Sequence, residues 1–334
     1  MRSHNKLTVH FDSFLMNTDM GRFSFILCQY LKFCGFELIV RIDKAFVSQL
    51  APPYKKLFLE QKHTLVRSCS TSANTAELIF KDGRRKVLEI FYGYEYIGTS
   101  IAAYYMPFPL HPKFYIQPKS YEDLTDLRNQ NRTVLVFFAG NSDESLYDKD
   151  VLRENFNGTI SRLSALKYMK ERFLSTGEME IVTETNRLYE VLDVGAKKIV
   201  LSEARTSGKD WLNILSKTHF FLCLPGVRMP WSHNAIESMA VGTIPIIQYG
   251  DLFTPPLKHL ENAICYSNQG ELGNVLSEVL MLPEHEIARL RANVIDYYDR
   301  YLSTEQVVAK ISDFFSSDES SLQVIIPFLE NPVK

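Results

Sequence analysis

The chain has 334 residues, a length that is typical of two domains rather than of one core. Hydrophobic residues make up 46% of it and charged residues 23%, proportions that exclude a disordered or fibrous protein. With 37 basic and 39 acidic residues the net charge is only -2, so no field over the whole molecule attracts nucleic acid or an anionic membrane.

The amino-terminal residues and the cysteines favour a reducing environment. MRSHNKLTVHF contains no apolar segment of a signal peptide, and no run approaches the roughly 18 apolar residues of a membrane span. The five cysteines form no CxxC pair, so neither a disulfide framework nor a zinc site is predicted. We expect a cytoplasmic protein without a transmembrane segment, for which peripheral contact with a membrane stays open.

The first part of the chain predicts a βαβ unit. Leu7–Phe11 and Phe36–Ile42 have strand patterns, and the apolar segment Arg22–Phe33 between them predicts a helix that stops at Gly35. Four prolines in MPFPLHPKFYIQP exclude regular structure from that later segment. Further short strands are expected at residues 64–69, 76–80 and 87–91.

A polar segment without a hydrophobic period, Tyr121–Arg132, predicts the linker between two domains. We place the amino-terminal domain at residues 1–125, the carboxy-terminal domain at 126–302, and a final helix and tail at 303–334 that pack back on the first domain. Strand and helix patterns alternate beyond the linker, which is typical of a parallel sheet covered on both faces. Strands are expected at 133–138, 180–183, 219–224 and 244–248, and helices at 160–174, 211–217, 272–282, 285–301 and 304–315.

The segment between the last two strands has features of an anion-binding loop. PGVRMPWS precedes a helix that we expect to begin at His233 with Ser232 as its N-cap and to stop at Gly242. The amino end of such a helix lies at the carboxyl edge of the sheet, where α/β proteins bind ligands, and its partial positive charge suits a phosphate. Arg228 suits a diphosphate, and Glu237 is placed to accept hydrogen bonds from a ribose diol. The same spacing also fits a plain scaffold.

Two segments resemble a known family. Ser216–Leu257 is similar to the carboxy-terminal motif of exostosin-like glycosyltransferases, in which a strand of the type FCLCP-G precedes S-x-x-x-x-E-A-x-x-x-G-x-I-P-V-I. RTVLVFFAGN, Arg132–Asn141, is similar to the strand and turn that open the same domain. The motifs of a dinucleotide-binding or P-loop protein, GxGxxG and GxxxxGK[ST], do not occur, which disfavours a kinase or P-loop ATPase.

This resemblance implies an α/β fold of the GT-B type, in which two Rossmann-like domains with parallel sheets face a central cleft. The second domain then holds a sugar nucleotide. Carried over by residue, Gly226 and Arg228 approach the diphosphate, Ser232 and His233 lie beside it at the helix start, and Glu237 binds the ribose.

The resemblance also bears on mechanism. Many retaining GT-B enzymes carry a second glutamate eight residues before the ribose-binding one, where this chain has Met229. Exostosin-like enzymes are generally inverting, which implies a general base that deprotonates the acceptor. We expect this base in the first domain, as Asp19, which also fits as a helix cap, or as Asp12 or His111.

The leading hypothesis is an inverting transfer of a sugar from a nucleotide-sugar donor to a glycan or lipid-linked glycan acceptor in surface polysaccharide assembly. No cofactor and no nucleic-acid partner are expected. No metal is expected either, because DKD at Asp148–Asp150 has the form of a DxD metal motif but no apolar strand before it. The alternatives are a sugar-nucleotide epimerase or hydrolase on the same scaffold, and a non-catalytic carbohydrate- or nucleotide-binding module.

Overall fold

In a computed structural model of the protein, two compact units are present: Met1–Ser120 with Leu302–Glu330 is unit 1, and Tyr121–Tyr301 is unit 2. Among the helices in the described parts of the chain, none is long and apolar enough to cross a membrane. The structure describes residues 6–11, 18–43, 63–66, 74–80, 83–93, 103–116, 124–147, 156, 158–206, 208–227 and 229–326.

The sheet of unit 1 is mixed. Its strands along the chain are β1 (Lys6–His10), β2 (Glu37–Asp43), β3 (His63–Val66), β4 (Asn74–Ile79), β5 (Arg85–Tyr92), β6 (Ala103–Tyr105) and the carboxy-terminal strand (Ser321–Ile326). They lie in the order β3-β2-β1-β4-β5, carboxy-terminal strand, β6. β1 and β2 are parallel, which confirms the predicted βαβ unit, but β4 is antiparallel to both β1 and β5. The predicted parallel sheet is therefore confirmed for the most part, and β4 is the antiparallel strand among the described strands of this unit.

Helix α1 (Arg22–Phe33) connects β1 to β2 and is buried on nearly every side. Its sequence RFSFILCQYLKF is apolar around most of the helix, and a helix of that kind belongs inside a core rather than on a surface. The predicted stop is confirmed, because Gly35 follows with φ 87°, a left-handed conformation that glycine adopts without strain.

The carboxy-terminal segment completes unit 1. The carboxy-terminal helix, Thr304–Ser316, leads into the carboxy-terminal strand, which lies between β5 and β6 and is parallel to both. Lys86 of β5 is buried, and its Nζ donates a hydrogen bond to the carbonyl of Phe314 at 2.6 Å, near the end of that helix. A cation is favourable at this position because the carbonyl end of a helix is negative. The predicted tail thus contains a strand that the sequence analysis missed.

The sheet of unit 2 is parallel and has six strands in the order β12-β11-β10-β7-β9-β8. In chain order these are β7 (Val134–Ala139), β8 (Met179–Val182), β9 (Ala196–Ser202), β10 (Thr218–Cys223), β11 (Ile244–Ile247) and β12 (Ile264–Cys265). The helices are α2 (Thr125–Arg128), α3 (Glu144–Tyr147), α4 (Arg162–Phe173), α5 (Thr185–Val194), α6 (Trp211–Ser216), α7 (His233–Ala240), α8 (Gln269–Leu280) and α9 (Glu284–Tyr297). The predicted Rossmann-like α/β unit is confirmed, although β9, β12, α2, α3 and α5 were not predicted.

The two central strands of unit 2 define where a ligand can bind. β7 is apolar along its length and β10 from Phe220 onward, as is typical of strands that a sheet covers on both faces. Phe137 of β7 and Phe221 of β10 pack together with ring centroids 6.2 Å apart. From β7 the chain goes to β8 and β9 on one side, whereas from β10 it goes to β11 and β12 on the other. The carboxyl ends of β7 and β10 therefore form a topological switch point, the place where open α/β sheets bind ligands.

Candidate functional site

Helix α7 begins beside the switch point, at the residue that the sequence predicts. Ser232 is its N-cap, and Ser232 Oγ accepts a hydrogen bond from the N–H of Asn234 at 3.4 Å. Gly242, with φ 75°, follows the end of the helix, and β10 and β11 are parallel, so the predicted crossover is confirmed. Ser232 and His233 thus lie where the positive end of a helix meets the carboxyl edge of the sheet.

The loop after β10 turns tightly at Gly226. The N–H of Gly226 donates to the carbonyl of Pro230 at 3.2 Å. A Cβ at this position would lie 2.7 Å from the carbonyl oxygen of Met229 and 3.0 Å from that of Trp231, so only glycine fits without movement of the backbone. Gly226 therefore keeps the loop compact at the switch point, whereas Arg228, the predicted diphosphate ligand in the same loop, lies outside the described residues.

A buried arginine that the sequence analysis missed joins the two loops of the switch point. Arg162, the first residue of α4, is only 4% exposed. Its Nη1 donates to the carbonyl of Asn141 after β7 at 2.7 Å and to the hydroxyl of Tyr147 at 2.9 Å. Its Nε donates to the carbonyl of Pro225 at 3.1 Å, and its Nη2 to that of Leu224 at 3.3 Å. One side chain thus fixes the spacing of the two carboxyl-edge loops.

The charge of Arg162 has no counterion in the part of the chain that the structure describes, since all four of these acceptors are neutral. Burial lowers the pKa of the guanidinium, while Tyr147 and Tyr249 act in the opposite direction. A cation in the first turn of a helix is unfavourable for the helix dipole. An arginine directly after the N-cap Ser161 is therefore a feature of the sequence that could have indicated a special role for Arg162. The result is a positive potential at the switch point.

Glu237, the predicted ribose ligand, is completely buried. Its Oε2 accepts a hydrogen bond from Nε1 of Trp211 at 2.6 Å, which joins α7 to α6. The ring of Trp211 packs edge-on against Phe221 of β10, with ring centroids 6.0 Å apart. A ribose contact needs a carboxylate oxygen at the surface, which this structure does not provide, so that contact stays a prediction.

Asp19 and His111, two of the three general bases predicted in unit 1, both interact with the charge of Arg22. A carboxylate oxygen of Asp19 lies 3.1 Å from the Arg22 Nε. Asp19 does not cap α1, because the N-cap is Gly21 and no side chain bonds to it. The backbone of Asp19 has φ 44°, a left-handed conformation that is strained for aspartate and that recurs at functional sites. Asp12 lies outside the described residues.

His111 begins a single 3-10 turn, Pro112–Tyr115, in the proline-rich segment. The expectation that this segment has no regular structure is therefore wrong, since the fixed φ of a proline suits the first position of such a turn. Nδ1 of His111 accepts a hydrogen bond from the N–H of Lys113 at 3.2 Å. Burial, followed by the charges of Arg22 and Lys113, lowers the pKa of His111 to about 4, which makes it a weak base at neutral pH.

The described part of the chain contains no group of three or more His, Cys, Asp or Glu side chains that is placed to hold a metal ion. Asp148–Asp150, the segment with the form of a metal motif, lies outside the described residues. The absence of a metal requirement stays a prediction.

Comparison with known proteins gives distant likenesses only. No family model and no curated protein matches the chain. A glycosyltransferase from Rickettsia africae is similar at 11% identity over 95% of this chain and 100% of that one, with a TM-score of 0.47. An alpha-glucosyltransferase in complex with UDP and a 13-mer DNA is similar at 12% identity over 94% and 100%, with a TM-score of 0.45. For TarM of S. aureus the identity is 12% over 57% of this chain and only 37% of that chain, with a TM-score of 0.36. Likenesses at this level leave the activity to be argued from the site.

Proposed function

We propose that the protein is a glycosyltransferase that moves a sugar from a nucleotide-sugar donor to a glycan or lipid-linked glycan acceptor. The observation that carries the proposal is the switch point of unit 2, where the start of α7, the tight turn at Gly226 and the charge of Arg162 converge. No carboxylate of the described residues compensates that charge. The similarity of Ser216–Leu257 to the exostosin-like motif supports the same assignment. Assembly of a surface polysaccharide is the process in which we place it.

The donor diphosphate is proposed to lie against the start of α7. Two sources of positive potential favour it there: the partial charge of the helix terminus and the full charge of Arg162 in a poorly solvated position. Arg162 acts as a positioning residue, because its described hydrogen bonds go to loop carbonyls and to a tyrosine hydroxyl. Arg228 is proposed as the direct guanidinium contact to the phosphates.

Transfer is proposed to proceed with inversion and without a metal. A carboxylate of unit 1 removes the proton of the acceptor hydroxyl, the hydroxyl oxygen attacks the anomeric carbon, and the bond from that carbon to the diphosphate oxygen breaks. The leaving nucleoside diphosphate carries away the negative charge that α7 and the arginines stabilise. Between the described candidates Asp19 is preferred to His111, because the lowered pKa of His111 weakens it as a base.

The test is a panel of UDP-, GDP-, dTDP- and CMP-sugars, measured first by thermal shift and then by calorimetry. We expect one nucleotide class to bind and Arg162→Met to weaken it about tenfold or more, the value of a charge-assisted interaction. The matched control is Arg187→Met, an arginine of α5 that is about half-exposed and pairs with Glu180. Failure of every donor to bind, or equal affinity in a folded Arg162→Met protein, overturns the proposal.

Turnover then separates the alternatives. A transferred product whose anomeric configuration is opposite to that of the donor, observed by NMR, supports inversion. Nucleotide release at the same rate with and without acceptors indicates a hydrolase or epimerase instead. Tight glycan binding without turnover of any bound donor indicates a binding module.

A further inference from the structure

A cavity of about 830 Å³ lies in unit 2 at the amino-terminal edge of its sheet, opposite to the switch point. The residues around it come from the loop before β7, the first residues of β9 and β10, the end of α8, and α9. Its volume is that of a small-molecule site. Because the switch point lies at the other edge of the sheet, the proposed donor site does not account for this cavity.

The lining of the cavity contains more cationic than anionic side chains. Arg132, Lys197 and Arg291 line it, whereas Glu284 supplies the one carboxylate in its lining. None of the three cations forms an ion pair with any carboxylate of the described residues, although the neighbouring Lys198 does, with Glu180 at 2.7 Å. Arg132 is buried and Arg291 is half-buried, whereas Lys197 is exposed. Charges in buried or half-buried positions are normally paired, so the two guanidinium groups are the part of the lining that indicates a missing anion.

Arg132 is the most buried of the three, at 8% exposure. Its Nη1 donates to the carbonyl of Thr218 at 2.6 Å and to the hydroxyl of Thr243 at 2.8 Å, and its Nη2 donates to the carbonyl of Val241. These bonds hold the guanidinium rigidly and leave its Nε buried without a partner in the described structure. Burial and the nearby charge of Arg291 lower the pKa of Arg132 to about 9.

Arg291 is oriented by a histidine. Its Nη2 lies 2.9 Å from Nδ1 of His219, and its Nε is buried without a partner among the described residues. Burial and the charge of Arg291 lower the pKa of His219 to about 4, so the ring is neutral at pH 7 and its Nδ1 accepts the hydrogen bond from the guanidinium. The charges of Arg132 and Arg291 thus repel one another, although the charge of Glu284 acts on Arg291 in the opposite direction. Each guanidinium also keeps an Nε without a partner among the described residues, and a bound anion would relieve the repulsion.

The remaining lining is partly polar, with Asn129, Gln130, Asn131 and Thr133, and partly apolar. Leu280, Met281 and Leu282 at the end of α8, with Ile287 of α9, line the cavity beside the charged group. An apolar wall next to two guanidinium groups fits a ligand that has an anionic head and an apolar body.

We propose that this cavity binds a phosphorylated small molecule, with its phosphate against Arg132, Lys197 and Arg291 and its organic part against Leu280–Leu282. Guanidinium groups bind phosphate oxygens through paired hydrogen bonds, and a lysine adds a compact charge. The ligand would connect α9 to the first residues of β9 and β10, and it would stabilise the folded unit by mass action. The proposal does not depend on the function assigned to the switch point.

The test is a calorimetric titration of the full chain with inorganic phosphate and with phenyl phosphate. We expect one saturable site, with phenyl phosphate bound more tightly than phosphate because of the apolar wall. Lys197→Gln and Arg291→Gln should each weaken binding about tenfold. Lys198→Gln is the matched control, because it removes a lysine from the next position of the same strand and should leave the affinity unchanged.

Because Lys197 is exposed, the Lys197→Gln protein should fold even if the Arg291→Gln protein does not. The test then rests on Lys197→Gln. Arg162→Met, at the opposite edge of the sheet, separates the two sites and should leave phosphate binding unchanged. The proposal is overturned by the absence of saturable binding, by equal affinity in Lys197→Gln and the unmodified chain, or by loss of phosphate binding in Arg162→Met alone.

Discussion

Replacement of Gly226 by alanine tests the geometry of the switch-point loop. The new Cβ would lie 2.7 Å from the Met229 carbonyl oxygen, against at least 3.4 Å for an ordinary contact, so that carbonyl must move by about 0.7 Å. Both nearest atoms belong to the backbone, which excludes relief by a change of rotamer. Overpacking of this kind costs about 1–3 kcal/mol, and loss of the Gly226 to Pro230 hydrogen bond about 1 kcal/mol more.

The expected sum for Gly226→Ala is a loss of about 2–4 kcal/mol in the free energy of unfolding, or roughly 5 to 15 °C in Tm for a unit of this size. Both tryptophans of the chain, Trp211 and Trp231, lie in unit 2, so urea unfolding followed by tryptophan fluorescence reports on this unit. Gly270→Ala in α8 is the control, because its Cβ would meet no backbone atom within 4 Å and only the Oδ1 of the N-cap Asn268, at 3.3 Å. It should therefore cost much less than Gly226→Ala. Equal stability of Gly226→Ala and the unmodified chain would refute the close contact.

Three further predictions concern buried polar groups. Trp211→Phe should lower the free energy of unfolding, measured by calorimetry, by about 2–4 kcal/mol, because the fully buried Glu237 carboxylate loses its indole donor. The double variant with Glu237→Leu should recover part of that loss. Absence of any recovery would contradict the pairing. Lys86→Met should lower the free energy of unfolding of unit 1 in urea by about 1–3 kcal/mol, because the hydrogen bond from Lys86 to the end of the carboxy-terminal helix is lost. An unchanged urea midpoint would contradict this prediction. The pKa of His219 is lowered to about 4, so the unfolded chain takes up a proton before the folded chain does, and stability should fall as the pH drops from about 6.5 to 4. In His219→Gln the free energy of unfolding should decrease between pH 7 and pH 4.5 by about 1–3 kcal/mol less than it does in the unmodified chain.

The parts of the fold that the sequence predicts are those with strong local signals. α7 begins at His233 because Ser232 caps it and ends before Gly242 because glycine accepts a left-handed conformation. β7 and β10 are predictable because each contains a continuous apolar run, VLVFFA in β7 and FFLC in β10, which is typical of a strand buried on both faces.

The elements that the sequence analysis missed depend on tertiary pairing. β9, AKKIVLS, begins with a small residue and two lysines and is a strand because it lies between β7 and β8. The carboxy-terminal strand pairs with β5, which lies more than two hundred residues earlier in the chain. No local pattern indicates either partner, since strand propensity depends on the neighbours that a strand finds.

The candidate site likewise contains some features that a local sequence signal predicts and others that depend on the tertiary fold. The motif around Gly226 and Ser232 is continuous in sequence and was recognised from it. Arg162 lies 63 residues from Pro225, whose carbonyl it contacts, so only the fold brings them together. The burial of Glu237 likewise depends on Trp211, 26 residues away, which occupies the carboxylate that the motif assigns to a ribose.

The most direct test of the central claim is a crystal structure of the chain with its donor nucleotide bound. The account predicts the diphosphate at the carboxyl ends of β7 and β10, within hydrogen-bond distance of the first residues of α7 and of the loop at Gly226. A nucleotide bound at the amino-terminal edge of the same sheet, or one that makes no contact with the start of α7, would contradict it.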